Sequence, residues 1–77
     1  MCTLTKNQIL VLKHLREGKK PSEIFKIINK PISSVYEAIN RGQRNIALAI
    51  DTVQFAVDND CLDEKQIRSL KRILGKI

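Results

Sequence analysis

Lys20-Pro21-Ser22-Glu23-Ile24-Phe25-Lys26-Ile27-Ile28-Asn29-Lys30-Pro31-Ile32-Ser33-Ser34-Val35 is the stretch on which the fold turns. It holds two Lys-Pro pairs, ten positions apart. Proline suits a first helical position, where its missing N–H has no partner anyway. Pro21 therefore predicts a helix over about 21–29, with Ser22 and Glu23 in its first turn and Ile24, Ile27 and Ile28 as its buried face. Pro31 predicts the start of another. The link Asn29-Lys30-Pro31 is long enough only for a tight turn, and proline disfavours helical geometry in Lys30 before it. Two short helices joined this way cross steeply, and a helix from elsewhere in the chain must cover the angle between them.

The segment upstream supplies that cover. Thr5 is a good N-cap, and Gln8 three residues on completes a capping box; Leu4 and Ile9 suit a hydrophobic staple. Ile9, Leu12 and Leu15 make the expected inward stripe, and Gly18 the stop. At about 100° per residue, the helix after Pro31 sets Val35, Ala38, Ile39 and Gly42 on one side. Ser33, Glu37, Asn40 and Arg44 fall opposite, flanked by Ser34, Tyr36 and Arg41. Beyond Gly42, Ile46, Ile50, Val53 and Val57 form one apolar stripe and Leu48, Thr52 and Phe55 another. Only Asp51, Gln54 and small Ala47 make a polar arc, so burial on more than one side is expected. Asp58-Asn59-Asp60 form a turn. Asp63 caps the last helix with Gln66 at the box position, and Ile67, Leu70, Leu74 and Ile77 repeat along it. Gly42 lowers helix propensity by about 1 kcal/mol against Ala. The reading breaks the chain there, although the two flanking helices could also run on as one. The result is an all-α, five-helix single domain, with helices at about 5–17, 21–29, 31–42, 44–58 and 64–75.

Composition narrows the function classes. The chain has 77 residues, enough for one small core. Hydrophobic residues make up 43%, too many for a disordered basic tail. Charged or amide side chains interrupt every apolar run, so no membrane span is expected. MCTLTKNQIL has no basic region ahead of an apolar one, so no secretory signal is expected either. Cys2 and Cys61 read as free thiols in a reducing cytoplasm. With the lone His14, they do not make a metal set, and His14 reads as a half-buried packing residue. Asp58, Asp60, Asp63 and Glu64 lack the glycine and glutamate spacing of a calcium loop. Neither a phosphate loop nor a nucleophile motif is present, so no enzyme activity, cofactor or metal is expected. The net charge is +6, and all of it lies in residues 1–46, where six Lys and three Arg outweigh three acids; the remainder is neutral. This split predicts a polyanion-facing half and a neutral half with another task.

Leu4-Thr5-Lys6-Asn7-Gln8-Ile9-Leu10-Val11-Leu12, followed by Gly18, Glu23-Ile24 and Val35, resembles the helix-turn-helix of LuxR-type regulators and of sigma factor region four. Asn45-Ile46, Ala49 and Thr52 extend the similarity to the archaeal Tfx family of regulators, over roughly residues 4–53. The sequence departs from that pattern at Phe25, Asn29 and Pro31. Asn29 tolerates left-handed geometry, which preserves the turn. The resemblance implies that the helix after Pro31 enters the major groove of DNA.

Both lines of reasoning select the same face. Ser33, Ser34, Tyr36, Glu37, Asn40, Arg41 and Arg44 are the expected DNA-binding residues on that helix. Asn pairs with adenine, Arg with guanine or phosphate, and Glu only with cytosine amines. Lys6, Lys19, Lys20 and Lys30 lie at helix starts and turns, where phosphate contacts form. Residues 1–44 are then the DNA-binding part, and residues 45–77 a dimerisation part of the same domain. Leu48, Thr52, Phe55, Ala56, Leu70 and Leu74 are the expected interface of a homodimer on double-stranded DNA. The expected function is sequence-specific transcriptional regulation. The main rival is a small helical protein-interaction module with a basic face. RNA binding is disfavoured by the shortage of aromatic residues for base stacking.

Overall fold

The computed structural model describes residues 2–77, and every regular element among them is a helix: α1 (Lys6–Arg16), α2 (Pro21–Ile28), α3 (Ile32–Asp58) and α4 (Glu64–Leu74). The all-α class stands, but the expected count of five is corrected to four. Residues 32–58 form one helix that runs through Gly42 without a break. The reason is tertiary. α1 crosses α3 at Gly42, where an added Cβ would meet Leu12 Cδ1 at 2.8 Å and Gln8 Cβ at 3.7 Å. Glycine stands there so that another helix can come close, and the packing outweighs its weak helix propensity.

Local signals fix most helix ends. Thr5 Oγ1 accepts the Gln8 N–H and Gln8 Oε1 accepts the Thr5 N–H, both at 3.1 Å. Asp63 and Gln66 repeat this reciprocal box at 2.8 and 3.0 Å. Pro21 opens α2 as expected, and the Glu23 carboxylate accepts the Lys20 N–H at 3.2 Å. Pro31 is instead the residue just before α3, with φ −58° and ψ 148°; its carbonyl accepts the Ser34 N–H at 3.0 Å.

Three helices end in one left-handed residue each: Gly18 (φ 93°), Asn29 (φ 55°) and Asp60 (φ 56°). In each case the next N–H reaches five residues back, as in Lys19 to His14, Lys30 to Phe25 and Cys61 to Ala56. These bonds satisfy carbonyls that a helix end leaves open. Left-handed geometry penalises a Cβ, so Asp60→Gly is expected to stabilise the protein by about 0.5–1 kcal/mol. Thermal unfolding should then rise by roughly 2–6 °C; an unchanged or lower midpoint would refute strain at Asp60.

The core lies where α1, α2 and the first half of α3 meet. Val11, Ile24 and Val35 are fully buried and Ala38 nearly so, ringed by Leu15, Phe25, Ile28 and Ile39. Two expected inward stripes are rotated. On α1 the buried residues are Gln8 and Val11, while Ile9 is exposed. Gln8 is accommodated because its amide caps the helix and also accepts a 3.4 Å bond from Asn45 Nδ2. On α2, Ile27 is exposed and Phe25 takes up the partial burial assigned to it.

The second half of α3 leaves this core. With 27 residues, α3 is about 40 Å long and accounts for most of the 44 × 21 × 17 Å envelope. No α-carbon of α4 comes within 8 Å of one in α1–α3, and no residue of α4 is buried. An open apolar groove of about 530 Å³ separates α4 from α3, lined by Ile46, Ile50 and Val53 on one side and Leu70, Ile73 and Leu74 on the other. The chain therefore exposes 6504 Å², against about 4,800 Å² for a close-packed monomer of this mass. Its radius of gyration is 15.4 Å, against about 11.5 Å for a compact domain of this length.

Candidate nucleic-acid interface

The outward side of α3 follows from the packing of its inward side. Val35, Ala38 and Gly42 turn to the core, so a rigid helix must turn Ser33, Glu37, Asn40 and Arg44 the opposite way. All four are exposed, as are Tyr36 and Arg41; Ser34 is half-buried at the edge. The steep α2–α3 turn holds the first turn of α3 clear of the other helices. Its short side chains, Ser33 and Ser34, keep the backbone close to whatever lies against it.

Only one ion pair forms on this face. Arg41 Nη2 lies 3.2 Å from Glu37 Oε1, one helical turn apart, and both side chains are more than half exposed. Such a pair contributes at most about 0.5 kcal/mol, so a phosphate can draw Arg41 away from it. Arg44 has no acidic partner within 4 Å. A polar cleft of about 250 Å³ joins this face to the start of α1 and is lined by Thr5, Asn7, Gln8, Ser34, Glu37 and Arg41. Lys6, the first residue of α1, is exposed beside that cleft. The charge and periodicity of the sequence did not single out Thr5 and Asn7. They join the site only because α1 crosses α3 at Gly42.

The remaining basic residues divide. Lys30 is exposed in the α2–α3 turn and Lys20 is exposed at the start of α2. Lys19 is engaged: its Nζ lies 2.9 Å from His14 Nδ1 and 3.2 Å from Glu17 Oε2. An ammonium only donates, so Nδ1 accepts, and His14 serves to hold the α1–α2 turn. A phosphate would have to compete with both partners for Lys19.

The six residues expected at the dimer interface lie on two sides of α3. Ala56, Leu70 and Leu74 line a groove of about 230 Å³ between α3 and α4. Leu48 and Phe55 point away from α4 and are 51% and 63% exposed. Thr52 lies between them, its hydroxyl bonded back to the Leu48 carbonyl at 2.9 Å. The expected burial of α3 on more than one side is therefore not met within a single chain.

Among the described residues, no group of three or more His, Cys, Asp or Glu side chains is placed to hold a metal ion, and no helix is long and apolar enough to cross a membrane. No protein family, no curated protein and no solved structure matches this chain.

Proposed function

We propose that this protein is a sequence-specific double-stranded-DNA-binding regulator of transcription that acts as a homodimer, with the first half of α3 in the major groove. One observation carries the reading: the side of α3 from Ser33 to Arg44 is uncovered and rich in hydrogen-bonding groups. It belongs to the half of the chain that holds the entire net charge of +6. A major groove about 12 Å wide admits one helix. Asn40 and Tyr36 are the candidates for base edges, and Arg41 and Arg44 for guanine or phosphate. Lys6, Lys20 and Lys30 would hold the flanking backbone. Glu37 tempers affinity by repelling phosphate and by competing for Arg41.

The test is DNA binding by the full chain across a series of salt concentrations. Each phosphate contact contributes about 0.9 to the slope of log affinity against log salt. Replacing both Arg41 and Arg44 by Ala should flatten that slope by about 1.8 if both touch phosphate. A slope equal to that of the unmodified protein would refute the phosphate role. Absence of any salt-dependent binding by the unmodified protein would overturn the DNA reading and favour a protein partner.

A further inference from the structure

The continuity of α3 has a geometric consequence. Because one straight helix spans residues 32–58, every residue on it has a fixed direction relative to every other. At about 100° per residue, Leu48, Thr52 and Phe55 fall within about 60° of one another. Their centre lies only about 45° from the centre of the Ser33–Arg44 face. The bare apolar stripe and the polar face thus share one side of one rod. Core contacts and α4 occupy the opposite side, through Val35, Ala38, Ile46, Ile50 and Val53.

We infer that two copies of this chain pair in parallel along the Leu48–Thr52–Phe55 stripe, so that the first halves of the two α3 helices diverge as a fork with their polar faces turned inward. Four observations single out a second copy as the occupant. The apolar arc of the second half of α3 covers about 220°, from Ile50 round to Phe55, and one neighbouring helix covers about half of that. The chain's own α4 takes the Ile46–Ile50–Val53 side and leaves the other bare. The spacing of the stripe, four residues and then three, is the seam of a two-stranded coiled coil. Thr52 fits the seam because its hydroxyl is already bonded to its own helix. Finally, the surface beyond that of a close-packed monomer, about 1,700 Å² per chain, exceeds the roughly 800 Å² per partner that a standard interface removes.

Direction follows from charge and from the shared side. Arg41 stands seven residues before Leu48 on the same seam. In a parallel pair the two Arg41 side chains meet across the axis, where repulsion opens the helices. In an antiparallel pair the two polar faces would point opposite ways and could not lie on one duplex. A parallel fork instead places both on a single object between the arms, the geometry by which continuous helices grip DNA from a coiled-coil stem. The duplex between the arms rests on the DNA-binding reading above; the pairing of the stripes does not.

Thiol cross-linking of the full chain without DNA tests the pairing alone. Cys2 and Cys61, both exposed, are first changed to Ser, and Leu48→Cys and Phe55→Cys are then made separately. A disulfide needs α-carbons roughly 4.4–6.8 Å apart. The parallel seam brings residue 48 next to residue 48, and 55 next to 55. Both variants should therefore form disulfide-linked dimers on mild oxidation, and an Asp51→Cys control on the polar arc should not. An antiparallel pair can bring at most one of the two positions together, so cross-linking at only one overturns the proposal, as does cross-linking at neither. Sedimentation of the unmodified protein at about 0.1 mM should show a dimer. Leu48→Asp with Phe55→Asp should give a monomer with unchanged helix content. A double variant that stays dimeric would also overturn the proposal, whatever the salt titration says about DNA.

Discussion

Ile24→Ala is expected to leave much of the protein unfolded at room temperature. Ile24 is one of three fully buried large side chains, and it is the only residue of α2 buried to that degree. Truncating a buried Ile costs about 2–5 kcal/mol, from lost transfer energy and from the cavity left behind. A chain of this length has a total stability of about 4–12 kcal/mol. This one belongs near the lower end, because only four apolar residues are buried and residues beyond 45 add none. The loss would also release α2, and with it the turn that orients the first half of α3. Circular dichroism with a denaturant titration measures the effect. A loss below about 1 kcal/mol would show that α2 is not held by this contact. Ile24→Val, which removes one methylene, should cost about 0.5–1.5 kcal/mol and so calibrate the series.

Gly42→Leu should destabilise the fold by about 3 kcal/mol, because the space beside Gly42 is filled. A Cβ there already lies 2.8 Å from Leu12 Cδ1 and 3.4 Å from Leu12 Cγ. A leucine adds three more carbons in that direction, and α1 would have to lift from α3. Gly42→Ala is a different case. Its one methyl meets the end of a flexible side chain, and the gain of about 1 kcal/mol in helix propensity offsets the crowding, so stability should stay within about 1 kcal/mol of the parent. Adding Leu12→Ala to Gly42→Leu should restore at least about half of the loss, since the new side chain then fills the vacated volume. Tolerance of Gly42→Leu without the second change would mean that α1 does not press on α3 here. The same pair separates stability from site assembly. Lifting α1 moves Lys6, Thr5 and Asn7 away from the polar cleft while Arg41 and Arg44 keep their places on α3.

Much of the fold is legible without coordinates because it is encoded over four or five residues. Thr5 with Gln8, Asp63 with Gln66 and Pro21 each settle a helix start through a local bond or a fixed φ. Asn29 settles the turn before α3, since its side chain tolerates the left-handed angle that the chain adopts there. The outward face from Ser33 to Arg44 follows from periodicity once Val35 and Ala38 point inward. The two stripes that were rotated show where periodicity runs out. Ile9 fits the apolar pattern of α1 as well as Val11 does, and nothing nearby shows that the buried polar Gln8 has Asn45 as a partner 37 positions away.

The residues alone thus determined the class of the fold, most of its helix ends and the chemistry available on one helix face, because each depends on interactions between near neighbours in the chain. Only the tertiary structure decided that α3 is a single rod, that Thr5 and Asn7 border its polar face, and that Leu48 and Phe55 lie bare on that same side. These depend on how closely α1 approaches Gly42 and on where α4 stands, and distances between segments far apart in sequence leave no local trace.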